Sequence, residues 1–281
     1  MRWPSAEALA EAPSPLTETL GPRIDVGPAP REDANPAQSL LPRMSVAAIL
    51  DDAMSAFGLP QSPQLPALWR SLVELVNELD VMVDGRDGES QRELLLAVPA
   101  AVVDSPTVDR SSFDARTGHV VRSFRAACLA AEVEAACLRG WSSHFELLAL
   151  EHSVGHQISD VDRYVVHRSQ TGRLLGSMLA DLIPLRCRTT SFDRVAAWIG
   201  ALGACAELID SFWDLPIDYR YGHSAVEPTP RNRAALARAA RAEAPTVLRG
   251  IPVGLRAKLF AKVVVMGANR SGRLNRFRFA D

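Results

Sequence analysis

The stretch SFDRVAAWIGALGACAELIDSFWDLPID (191–218) limits the possible folds more than any other part of the chain. Its apolar residues recur at helical spacing and cover most of the helix circumference, so it must be a helix with neighbours on several sides. Its second half then carries Asp210, Asp214 and Asp218. Four residues of helix rise about 6 Å and overshoot one turn by about 40°, so the three carboxylates form a slowly spiralling stripe. Like charges at this spacing repel each other, and Asp is disfavoured near a helix C-terminus. A carboxylate stripe on so apolar a helix therefore points to cations between the side chains. Hard divalent ions suit it, because they take oxygen ligands and share substrate phosphates. Pro216 removes a backbone donor and is expected to kink or end the helix, which would move Asp218 off the ideal stripe.

Helical patterns fill most of the remaining sequence. SVAAILDDAMSAF, LPALWRSLVELVNELDVMV, ESQRELLLAVPAAVV and SDVDRYVVHRSQTGRLLGSMLADLI all carry apolar residues at helical spacing. So does HVVRSFRAACLAAEVEAACLRGWSSHFELLALEHSV, expected to bend near Gly140. TPRNRAALARAARAEA and a last segment near 253–270 follow. Ser159, Ser191 and Thr229 are expected helix caps, and a break is expected at Pro99. Strand-like alternation is nearly absent. The expectation is an all-α, single-domain helical bundle over 44–281. Residues 1–43 hold eight prolines among mixed charges and are expected to form a disordered tail.

Composition excludes several classes. With 47% hydrophobic and 23% charged residues, the 281-residue chain can bury a full core. A net charge of −2 gives no general nucleic-acid signature. Locally, LRAKLFAKVVVMGANRSGRLNRFRF has seven Lys/Arg and no acid, which suits an anion site or a solvated tail. No apolar run is expected to reach transmembrane length or to insert stably in a membrane, and no signal peptide is expected. The four cysteines form no metal-binding pattern and are expected as buried, reduced thiols, so the expected location is cytoplasmic.

A second acidic pair, Asp80 and Asp84, ends the apolar helix VELVNELDVMVDG. Two acidic helix ends in one bundle could face each other across a cavity and clamp a diphosphate through Mg2+. A di-iron site is disfavoured, because EHSVGH offers Glu151 and His152 at the wrong spacing.

These motifs resemble the class I terpene synthases of the isoprenoid synthase superfamily. DVMVD is similar to that family's first aspartate-rich motif, and DSFWDLPID to its second metal motif. Between them, Glu151, Tyr164, Arg168, Thr171 and Gly172 follow the family order on LEHSVGHQISDVDRYVVHRSQTGRLLG, and LNRFRF resembles its C-terminal Arg-Tyr pair. The resemblance implies an α-helical bundle of the isoprenoid synthase type and a lyase acting on a prenyl diphosphate of sesqui- or diterpenoid size. It implies three Mg2+ ions held with the substrate diphosphate by Asp80, Asp84, Asp210, Asp214 and Asp218. Arg168 would sense the diphosphate and Arg276 would help bind it. Gly172, near a helix break, would turn its carbonyl toward the leaving group. The apolar cavity would be lined by Trp198, Trp213, Phe212 and Phe145, with Trp69 a further candidate, because aromatic faces attract a cation. His152, His156 and His167 are expected at the surface or in capping roles.

The motifs also depart from the family pattern. Val81 holds the second position of the first motif. Asp210, Asp214 and Asp218 stand where Asn, Ser or Thr, and Glu are usual, and Phe277 where Tyr is usual. Two alternatives stay open. One is a prenyl-coupling enzyme of the prenyltransferase or squalene/phytoene-synthase type, although Gln170 stands where chain-elongating enzymes have lysine. The other is a non-catalytic binding protein on the same fold. Self-association as a homodimer is also open.

Overall fold

In the computed structural model the residues described are 36–84, 88–102, 113, 115–133, 141, 143–147, 155–261 and 263. For 36–45, 80–84, 88, 89, 91, 92 and 115 the structure describes the backbone alone. The described residues are helical and include no strand. The elements are α1 (Pro36–Ala56), α2 (Leu65–Asp84), α3 (Gly88–Val102), α4 (Ala115–Ala130), α5 (Val161–Asp181), α6 (Phe192–Arg220), α7 (Pro230–Leu248) and α8 (253–261).

Local signals explain most helix ends. Asp160, rather than the expected Ser159, caps α5 by accepting the Arg163 N–H at 2.8 Å. Thr229 caps α7 through the Asn232 N–H, with Pro230 in the first turn, where its missing donor costs nothing. Ser191 stands at the N-terminus of α6 but makes no side-chain capping bond. Gly222, at φ 76°, closes α6 in a left-handed turn, and the His223 N–H reaches back to the Asp218 carbonyl at 2.7 Å.

Three expectations about proline need correction. The helical region begins at Pro36 rather than residue 44, with Pro36 at the helix start where proline is tolerated. Pro99 does not break α3, which continues to Val102. Pro216 does not end α6, which runs to Arg220. In each interior case only one helical hydrogen bond is lost, and packing on the flanking turns holds the rest. Val98 and Leu215, the residues just before these prolines, are fully buried. The long helix expected to bend near Gly140 instead stops at Ala130, followed by Glu132 at φ 57°.

α2 packs against both α1 and α4, while α6 lies between α5 and α7. α5 and α6 are antiparallel and very close. A Cβ built on Gly172 would come within 2.4 Å of the Gly203 carbonyl oxygen, and one on Gly176 within 2.7 Å of that of Ile199. Only glycine permits that approach. α7 runs antiparallel along the other side of α6. Arg233 covers the Phe212 ring, the Cys205 thiol faces the Ala240 carbonyl, and the Trp198 Nε1–H donates to Val247 at 2.7 Å.

Trp69 is buried and donates its Nε1–H to the Leu179 carbonyl, tying α2 to α5. Burial without an unmet donor is what lets a tryptophan stabilise a core. Burial also pushes the Cys128 thiol to about 12 and the Cys205 thiol to about 11, so both stay protonated and weakly nucleophilic. α6 is the one described helix long and apolar enough to cross a membrane, contrary to the expectation that no run has that length. Within the bundle α5 and α7 pack along it, and 39% of its most apolar stretch is buried.

Candidate functional site

One face of α6 lines a cavity of about 1040 Å³. Ile199, Leu202, Gly203, Ala206, Glu207, Asp210, Asp214 and Asp218 line it, at spacings of one to four residues along a single side of the helix. α5 supplies the facing stripe of Tyr164, His167, Arg168, Thr171, Gly172, Leu175, Gly176 and Leu179. The antiparallel pairing sets acidic turns of α6 beside the Arg168 turn of α5. It leaves the apolar turns of both helices together further along. Leu72, Val73 and Val76 of α2, Ile49 and Leu50 of α1, and Phe145 extend the apolar wall.

Arg168 is held from three sides. Its Nη2 lies 2.5 Å from the Glu207 carboxylate, its Nε donates to Ser211 Oγ at 2.8 Å, and its guanidinium lies 5.9 Å from the Tyr164 ring centroid. Burial alone would lower its pKa. Glu207, then Tyr164, Asp218 and Asp210 outweigh that and hold the guanidinium firmly protonated. Burial likewise raises the Tyr164 phenol, opposed by Arg168 and by a hydrogen bond with Ser224. The arginine is thus a fixed positive charge aimed along the acidic face of α6.

The expected site residues fall into three groups. Arg168, Asp210, Asp214, Asp218, Gly172 and Phe145 line the same cavity. Asp80 and Asp84 lie in the last turns of α2, one and two turns beyond the lining residue Val76, but their side chains are outside the described ones. Glu151, Arg276 and Phe277 are outside the described residues altogether.

The third group requires correction. Trp198, Trp213 and Phe212 do not line the cavity. Trp198 is core, packed near Phe57 with its N–H bonded to Val247. Phe212 belongs to a smaller cluster with Leu208, Leu215 and Leu236, and Trp213 meets it edge-on. Helical geometry gives the reason: at about 100° per residue, position 212 points almost opposite to 210. Trp69 is likewise core. Gly172 is also not at a helix break, since α5 is continuous there; the close α5–α6 crossing accounts for this glycine.

Several residues at the cavity or bonded to its lining were not anticipated in these positions. Glu207 and Ser211 anchor Arg168. His156 and His223 line the cavity beyond Asp218, with His156 Nδ1 3.0 Å from the His223 carbonyl oxygen, and buried His167 lines it from α5. Arg241 and Arg256 line it from the α7–α8 side. Glu207 was the most accessible of these to sequence reasoning, because it stands one turn before Asp210 on the same face.

Donor chemistry decides whether the site suits a divalent cation. The α6 stripe offers carboxylate oxygens, which hard ions prefer. Among the described residues, no three His, Cys, Asp or Glu side chains gather closely enough to hold an ion by themselves. A divalent cation there would need further oxygen ligands beyond these side chains. No family model, curated protein or solved structure matches the chain.

Proposed function

We propose that the protein is a Mg2+-dependent class I terpene synthase that ionises a prenyl diphosphate. One observation carries this reading: Asp210, Asp214, Asp218 and Arg168 border the same cavity, and the rest of its wall is largely apolar. A ligand with a polyanionic head and a hydrocarbon tail matches both parts. The bundle of the isoprenoid synthase type is part of the same proposal.

Asp210, Asp214 and Asp218 would hold Mg2+, with Asp80 and Asp84 as the second ligand group. Bound there, Mg2+ would supply positive charge against the leaving diphosphate. Arg168 would donate charge-assisted hydrogen bonds to the same oxygens, its approach fixed by Ser211 and Glu207. The allylic C–O bond would break with its electron pair leaving on the diphosphate oxygen. Leu175, Leu179, Ile199 and Leu202 would keep water from the resulting allyl cation. Loss of a proton would yield a hydrocarbon; addition of water followed by loss of a proton would yield an alcohol.

The test is purified full-length protein with Mg2+ and prenyl diphosphates of ten, fifteen and twenty carbons, supplied singly. Release of diphosphate with one hydrocarbon or alcohol is the expected result. No turnover of any of them by folded protein would sink the enzyme assignment and leave the binding-protein reading. One observation favours a coupling enzyme as a second reading: Arg241 adds another cation to the cavity lining. That reading requires a product whose carbon count is the sum of two prenyl units, formed from one substrate kind or from two.

A further inference from the structure

The basic C-terminal region carries more positive charge than the chemistry above draws on. Residues 230–281 hold twelve of the chain's 31 Lys and Arg but only two of its 33 Asp and Glu. One of those two, Glu243, is ion-paired with Arg173 of α5. A chain with net charge −2 therefore carries an excess of positive charge toward the end of its sequence; on and beside α8 the described cations are Arg249, Arg256 and Lys258, the last ion-paired with Asp52.

The same region exposes apolar side chains. α8 and the turn before it bury Ile251 and Leu255 against the core, with Leu259 half-buried. Val253, Arg256, Phe260 and Val263 recur at i, i+3, i+7 and i+10 and so share one outward stripe. Val253 is 77% exposed and Phe260 73%, with Val263 and Leu248 each at 39%. Leu248, Arg256, Phe260 and Val263 also line the cavity. The exposed stripe and the cavity edge are therefore continuous.

We propose that the face made by the end of α7 and by α8 docks on an anionic lipid bilayer, setting the cavity mouth at the membrane surface. Cations interleaved with aliphatic and aromatic side chains are what an interfacial helix presents to acidic headgroups and acyl chains. A second copy fits less well, because pairing this face with itself would oppose like charges. A nucleic acid would use the arginines but has no partner for Val253, Val263 and Leu248. The inference does not depend on prenyl diphosphate chemistry; it concerns how any apolar-tailed ligand would reach the cavity.

The experiment is co-sedimentation of full-length protein with vesicles of phosphatidylcholine alone and of phosphatidylcholine mixed with phosphatidylglycerol. Binding at least about tenfold stronger to the mixed vesicles, and lost as salt shortens the range of charge attraction, is expected. Arg256→Glu should weaken it by about fivefold or more. Phe260→Ser and Val253→Ser should weaken it too, with unchanged thermal midpoints. The 77% exposure of Val253 makes its variant the control least able to disturb folding. Equal partition onto both vesicle types, or onto neither, overturns the proposal. So does binding to short duplex DNA without vesicle binding, or a dimer in light scattering that Phe260→Ser dissociates. Turnover is not part of the readout, so failure here and failure of the terpene synthase reading are separate results.

Discussion

The two sides of the cavity are built on opposite principles. On the α5–α6 side, backbones approach so closely that a Cβ on Gly172 would collide with Gly203, and Arg168 is bound to both Glu207 and Ser211. On the α7–α8 side, Arg241 and Arg256 are exposed and Phe260 stands 73% in solvent. A tightly packed wall can fix a charge to within the tolerance that chemistry needs. A loose, basic, apolar wall suits entry and docking. Under the proposed function and the proposed docking, reaction would belong to the first wall and access to the second, and substitutions on each wall should separate the two.

The largest separation is expected in turnover. Asp210→Asn or Asp214→Asn should lower kcat with a prenyl diphosphate by about 10²–10³-fold, comparable to losing one preorganised electrostatic contact of about 2.7–4 kcal/mol. Chelation of Mg2+ should do at least as much. Phe260→Ser, on the other wall, should leave kcat in detergent-dispersed substrate within about threefold, far from the loss expected for a transition-state contact. Steady-state kinetics alongside thermal melts would check both; full activity in Asp210→Asn breaks the metal assignment.

Stability should divide along the same line. Gly172→Ala forces a Cβ into backbone atoms, and overpacking of this kind costs about 1–3 kcal/mol. Gly254→Ala, in α8 with nothing within 4 Å of the added carbon, should instead stabilise by about 0.5–1 kcal/mol. Urea titrations of the two variants would blur the contrast if their midpoints moved together.

The Arg168–Glu207 pair gives a smaller but more specific signal. Arg168→Met strands a carboxylate that is only 17% exposed. A lost buried partner can cost 3–5 kcal/mol, so with residual solvent screening about 1–2 kcal/mol is expected. The double variant Arg168→Met/Glu207→Gln should recover much of that stability while turnover stays lost. Recovery of turnover as well would remove Arg168 from the diphosphate-binding role.

Helices were readable from sequence because their periodicity is local, and the stripe 210–214–218 survives into the structure for the same reason. What resisted reading was relational. Whether Trp198 or Phe145 faces the cavity depends on where α6 crosses α5, and Gly172, Gly176 and Gly203 set that crossing through contacts between distant segments. Pro216 misled because the local cost of a missing donor was weighed without the packing of Leu215. The Arg168–Glu207 pair joins residues 39 positions apart, and no spacing rule announces it. Asp80 and Asp84 stand in the last turns of α2, and their side chains are outside those described.

The smallest predicted effect lies at the end of α5 away from Arg168. Asp181 there sits 3.9 Å from His144 across the ion pair. Burial pushes its carboxyl above the usual range, while His144 and Arg188 pull it partly back. The folded protein thus binds this proton more tightly than the unfolded chain does. The resulting stability is complete below the unfolded value of about 3.9 and is lost as pH rises through the raised folded value. At neutral pH the charged Asp181 is therefore a net cost, and Asp181→Asn should stabilise the protein. The side chain is 36% exposed, so solvent screening limits the gain to about 0.5 kcal/mol. The gain should shrink as pH falls toward 4, where wild-type Asp181 becomes neutral too. Denaturation series at pH 7 and near pH 4 would measure it. A variant less stable at pH 7 would mean that the charged form is favoured in the fold, and that His144 and Arg188 outweigh burial.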